Sequence, residues 1–139
     1  MRRVVTDPGH PGPQRDLGLL VLRVAFAAAL IGAHGWGKMM NLVQGGGAGF
    51  PDPFGVGGVV SLALAVFAEV VCGIALILGI GGRIPAAILA VFFLVAFFMI
   101  HGGDPFAERE LAFVYLMAFV TLVLTAPGRY SSGKLVRGK

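Results

Sequence analysis

A single cysteine, Cys72, stands in an apolar run, which excludes an intrachain disulfide and any C-x-x-C redox pair. It reads as a small packing residue. Charge is scarce too: 13% of the 139 residues are Asp, Glu, Lys or Arg, against about 25% in a soluble domain. Apolar residues make up 57% and mean hydropathy is +0.87. A water-soluble fold of this length has too little interior to hide that much apolar surface, which leaves lipid as the solvent. Also missing are a nucleotide-binding glycine loop, a spaced set of metal ligands, and a basic stripe interleaved with aromatics. The sequence therefore carries no motif for a covalently held cofactor or a metal, and nucleic acid is not an expected partner. The net charge of +4 and pI of about 9.8 come from residues at the chain ends and in turns, where basic residues report topology.

What is present divides by the ~20-residue ruler of a membrane helix. Four runs qualify: Leu17 to about Lys38, Val56 to Ile80, Ile84 to Ile100, and Leu111 to Ala126. The last is short and borrows Glu110 and its neighbours as an interfacial turn before Pro127 and Gly128 end it. The expected fold is an all-α membrane protein, a four-transmembrane-helix bundle. A polar, Pro-rich leader occupies residues 1–16, with Pro8, Pro11 and Pro13. The helical domain covers residues 17–128 and a basic tail residues 129–139. Arg2 and Arg3 resemble the start of a signal peptide, but Arg23 inside the first apolar run argues against cleavage.

Counting Lys and Arg on each side orients the bundle. Arg2, Arg3, Arg15, Arg83, Arg129, Lys134, Arg137 and Lys139 fall together, against Lys38 and Arg109 opposite, which puts both termini in the cytoplasm. The outer connections are then the Gly-rich stretch Met39 to Gly55, long enough to act as a lid or to rest on the membrane surface, and the acidic segment His101 to Glu110. Trp36, Phe50 and Phe54 suit the interface. The Gly-Gly-Arg turn before Ile84 makes the second and third helices antiparallel neighbours.

Ionisable groups at depth cost ~2.5–3.5 kcal/mol each on insertion scales, so they face a bundle interior and are paired. Arg23 and Glu69 are the clear cases. Glu69 shares an i, i+4 row with Ser61, Ala65 and Gly73, small residues that let membrane helices approach. Arg23 shares a stripe with Ala27, Leu30, His34 and Lys38. At 1.5 Å per residue Arg23 sits ~9 Å and Glu69 ~15 Å above the cytoplasmic helix ends, an offset that a structural ion pair spans. Side-chain lean leaves the alternative that Glu69 serves a polar pocket roofed by His34. His34, Lys38, Glu69 and His101, with Asp104, Glu108 and Glu110 within reach, form the densest polar constellation. Its chemistry fits a quinone headgroup, because imidazole and carboxylate exchange the protons that quinone reduction needs.

Three passages, LRVAFAAALIGAHGWGKM from Leu22, FAEVVCGIALILGIGGRIPA from Phe67 and APGRYSSGKL from Ala126, together resemble the DoxX family of small bacterial membrane proteins. Arg23, Gly35 with Lys38, Glu69, Gly79 with Arg83, and Pro127-Gly128 with Ser131 fill the family's pattern. Gly133 and Lys134 replace the acidic residue that often follows the serine. The resemblance implies a multi-pass inner-membrane protein with a redox association, since the related DoxD and DoxA proteins form a thiosulfate:quinone oxidoreductase. The expected function is the membrane subunit of a redox, quinone-linked assembly with a soluble redox enzyme or a second copy as partner. A non-catalytic scaffold for soluble redox or detoxification enzymes and a small-solute carrier are the alternatives.

Overall fold

The computed structural model describes residues 12–125, which are helical apart from short connections and contain no strand. Arg2, Arg3, Pro8, Pro11 and the closing segment with Pro127, Gly128 and Ser131 lie outside the described residues. The helices are α1 (Pro13–Val43), α2 (Gly58–Leu78), α3 (Ile84–Ile100) and α4 (Phe106–Thr125). The 31-residue α1 and 21-residue α2 are long and apolar enough to cross a membrane, and α3 is apolar but shorter. Each helix packs on its chain neighbour and α1 closes against α4. Arg15 Nη2 donates to the Thr125 carbonyl at 3.3 Å, so the start of α1 and the end of α4 share one end of the structure.

Helix starts differ from the sequence boundaries most at α1 and α4. The first helix begins at Pro13 rather than Leu17, because proline in the first turn has no N–H to lose and a φ already set for helix. Asp16 in that turn suits the positive end of the helix dipole. The same helix continues past Lys38 to Val43 and stops before Gly45, whose φ of 81° is left-handed. The outer connection is thus residues 44–57, shorter than expected. Helix α4 starts at Phe106 and takes Glu108 to Glu110 into its first turns.

The turn between α2 and α3 follows from Gly79, at φ 71°. The Ile80 N–H donates to the Ala75 carbonyl at 2.8 Å and the Gly79 N–H to Leu76 at 3.2 Å, a Schellman closure that only a residue free to adopt the left-handed region makes without strain. Arg83 and Pro85 then restart the chain as α3, antiparallel to α2.

Helices α1 and α2 touch most closely at two glycines. A Cβ on Gly35 would lie 2.9 Å from Val70 Cγ2 and 3.3 Å from Glu69 Cβ, and one on Gly73 would lie 3.0 Å from the Ile31 side chain. Small residues allow such approaches where lipid supplies no hydrophobic drive between helices. Gly35→Val is expected to destabilise the fold by ~1–3 kcal/mol through overpacking. Gly32→Val, where a Cβ meets nothing within 4 Å, serves as control in thermal unfolding in detergent. Equal melting of the two variants would contradict the contact.

The outer surface is apolar. On α2, Val60, Leu64, Phe67, Val71, Ile74 and Leu78 are exposed at alternating steps of four and three residues, one helical side. Ser61, Ala65, Glu69 and Gly73 are buried on the other. A face of that extent is what a bilayer covers.

Three helices contain a π-helical turn: Ile31–Gly35 in α1, Phe67–Cys72 in α2 and Ala96–Ile100 in α3. Wider i→i+5 turns of this kind recur at functional sites. Here each one holds or abuts an ionisable residue, namely His34, Glu69 and His101.

Candidate functional site: a cavity between the helices

A cavity of about 710 Å³ opens among the helices and under the 44–57 connection. His34 and Lys38 come from α1, Glu69 from α2, His101 from the end of α3, and Glu108 and Tyr115 from α4. The structure therefore brings the four expected headgroup residues, His34, Lys38, Glu69 and His101, to one space. Asp104 and Glu110 do not line it. The remaining walls are almost wholly apolar, with Phe92, Phe93, Ala65 and Ala68 among them.

Lys38 Nζ donates to Glu69 Oε1 at 2.6 Å, with the carboxylate residue 2% exposed and the lysine 27%. The ammonium also sits 5.6 Å from the Phe92 ring centre, a cation–π distance. The sequence pointed to Arg23 as the partner of Glu69, and the register explains why Lys38 takes that place. Gly35 packs at the level of Glu69, while Gly73 meets Ile31 and Ala27. Arg23, twelve residues before Gly35, therefore lies roughly 18 Å along the axis from Glu69 at 1.5 Å per residue. Side chains lean toward their own helix N-terminus, which on antiparallel helices takes Arg23 and Glu69 apart and brings Lys38 back onto Glu69. Arg23 is itself buried, at 1% exposure, toward the opposite end of the bundle.

His34 meets Tyr115 edge to face with ring centres 6.1 Å apart, and Tyr115 stacks on Phe93 at 5.0 Å. Tyr115 is buried and was absent from the sequence-level site. The available signal was its rarity: it is one of two tyrosines, and it lies inside an apolar run where a phenol needs a purpose for its hydroxyl. At the rim, His101 Nδ1 and Asp104 Oδ2 are 2.9 Å apart. Arg109 lies 4.5 Å from the Phe97 ring centre.

Phe50, Pro51, Pro53 and Phe54 of the connection line the cavity. Asp52 holds them there. Its carboxylate accepts from the Gly57 N–H at 2.7 Å, the Val56 N–H at 3.0 Å and the Ser61 hydroxyl at 2.9 Å, tying the loop to the start of α2. The Gly57 N–H foremost, then Ser61, Val56 and Gly55, hold this carboxyl below its usual range against an opposing desolvation. A lowered folded-state value means that the fastening is present above the ordinary carboxylate range and is lost only as pH falls below it. Asp52→Ala is expected to speed amide exchange at Val56 and Gly57 by tenfold or more at neutral pH. Unchanged exchange would show that the loop is held by other contacts.

The family model described as DoxX matches residues 18–102. The protein described as "Inner membrane protein YqjF" of Escherichia coli (strain K12) is 31% identical over 128 residues, covering 89% of this chain and 95% of that relative. No solved structure matches significantly.

Proposed function

The chain belongs to the DoxX family, and we propose that it is a four-span protein of the bacterial inner membrane whose cavity takes the head of a quinone, as the membrane subunit of an oxidoreductase assembly. The observation that carries this reading is an acid–base pair, Lys38 with Glu69, inside an apolar cavity of the volume typical of small-molecule sites. The relative's description as an inner membrane protein supports the location. The Arg15–Thr125 contact is in keeping with termini on one side, and the distribution of Lys and Arg favours the cytoplasm for both.

Reduction of a quinone to a quinol consumes two electrons and two protons. The electrons come from a reduced cofactor on a soluble redox partner at the membrane. The chain's own part is to hold the headgroup and pass protons: Glu69 and His34 at depth, Lys38 and His101 nearer the outer mouth. A scaffold reading has one observation in its favour, since the Lys38–Glu69 pair also fastens α1 to α2.

Purification of the native assembly in mild detergent separates these readings. A bound quinone together with a co-purifying redox enzyme that reduces added quinone supports the subunit reading. A co-purifying enzyme whose quinone reduction is unaltered by removing this chain supports the scaffold and contradicts the redox role.

A further inference from the structure

The two oxygens of Glu69 differ. Oε1 takes the Lys38 ammonium at 2.6 Å, while Oε2 is buried with no hydrogen-bond partner among the described residues. A carboxylate beside an ammonium is an acceptor only. His34 and Tyr115 line the same cavity, yet no hydrogen bond from either reaches Oε2. A buried charged acceptor with no donor is costly, so whatever fills the cavity is favoured if it brings one.

The cavity also has a side. Leu64 and Phe67 on α2 and Val91 on α3 line it, and all three are exposed on the apolar outer surface. The same residues thus belong to the inner wall and to the lipid-facing exterior, which makes the gap between α2 and α3 a lateral opening. The short turn at Gly79 to Arg83 closes these helices at one end. The cavity, with His34, Lys38 and the 44–57 connection, lies toward the other.

We propose that the cavity selects a lipid-tailed molecule with a hydroxyl-bearing aromatic head, a phenol or quinol, which enters from the bilayer between α2 and α3 and donates its hydroxyl hydrogen to Glu69 Oε2. The inference rests on the quinone reading and deepens it by fixing the preferred redox state. An oxidised quinone offers carbonyl acceptors only and cannot satisfy Oε2, whereas the reduced head can. The aromatic wall of Phe93 and Tyr115 accommodates the flat ring, and the lateral gap accommodates the tail.

The test uses the full chain in phosphatidylcholine nanodiscs, titrated with a long-chain 4-alkylphenol and with its methyl ether, which keeps the tail and ring but loses the donor. The phenol is expected to bind at least tenfold tighter. In Glu69→Gln the ratio falls toward one, because the amide offers a donor as well as an acceptor. Val91→Trp, on the lipid-facing side, slows binding of both probes and leaves their ratio unchanged. Equal affinities, tighter binding of the ether, or no binding of either probe would overturn the proposal. Quinone reduction measured on the native assembly is a separate readout. Reduction without phenol preference sinks this inference alone, and phenol preference without reduction sinks the redox reading alone.

Discussion

Glu69→Gln is expected to leave the protein folded and to lower quinone reduction by about 10²-fold or more, the usual scale for loss of a positioned acid–base group. The substitution keeps the shape of the side chain and its close fit beside Gly35. It strands the Lys38 charge, but Lys38 is 27% exposed and lies toward the outer end of α1. A lysine on four methylenes can turn its ammonium to the interface while its stem stays packed. Folding therefore survives and proton exchange does not. Expression and melting near wild type together with lost reduction would match this account. Unaltered reduction would remove Glu69 from the chemistry.

The other half of the pair behaves differently. Lys38→Met is expected to destabilise the protein by about 3 kcal/mol, the low end for breaking a buried ion pair, because Lys38 keeps some contact with solvent. The reason for the asymmetry is Glu69. At 2% exposure and mid-helix, its short side chain cannot carry the carboxylate out to the interface. Removing its cation leaves a buried charge that cannot move away. Combining Lys38→Met with Glu69→Gln should restore most of the loss, and thermal unfolding of the two single variants and the double variant measures the coupling. Additive effects of the two substitutions would show that the pair contributes nothing to stability.

How legible this site was depends on which residue is considered. The buried row of Ser61, Ala65, Glu69 and Gly73 could be read directly, because helical period alone puts those positions on one side of α2. The bounds of α3 could be read too, since Arg83 and Pro85 mark its start and His101 its end. The partner of Glu69 could not. Choosing between Arg23 and Lys38 requires the axial register of α1 on α2. That register is set by the contacts at Gly35 and Gly73 and by an α1 that starts four residues before the apolar run. The π turns were equally hidden, because no residue type marks them. They shift the faces of helices that a regular 3.6-residue period would otherwise fix. Nothing in the sequence marks Asp52 beyond its place in a glycine-rich loop. Its role appears only once Gly57 and Ser61 are seen folded back onto it.

The most direct test of the central claim, that this cavity receives a lipid-soluble headgroup beside Glu69, is photolabelling in native membranes with a long-tailed azidoquinone, followed by mass spectrometry of the labelled peptides. Label is expected on Phe92, Phe93 and Tyr115, competed away by excess unlabelled quinone and much reduced in Glu69→Gln. Label confined to outward residues such as Val71 and Ile74, unaffected by competitor, would contradict that claim.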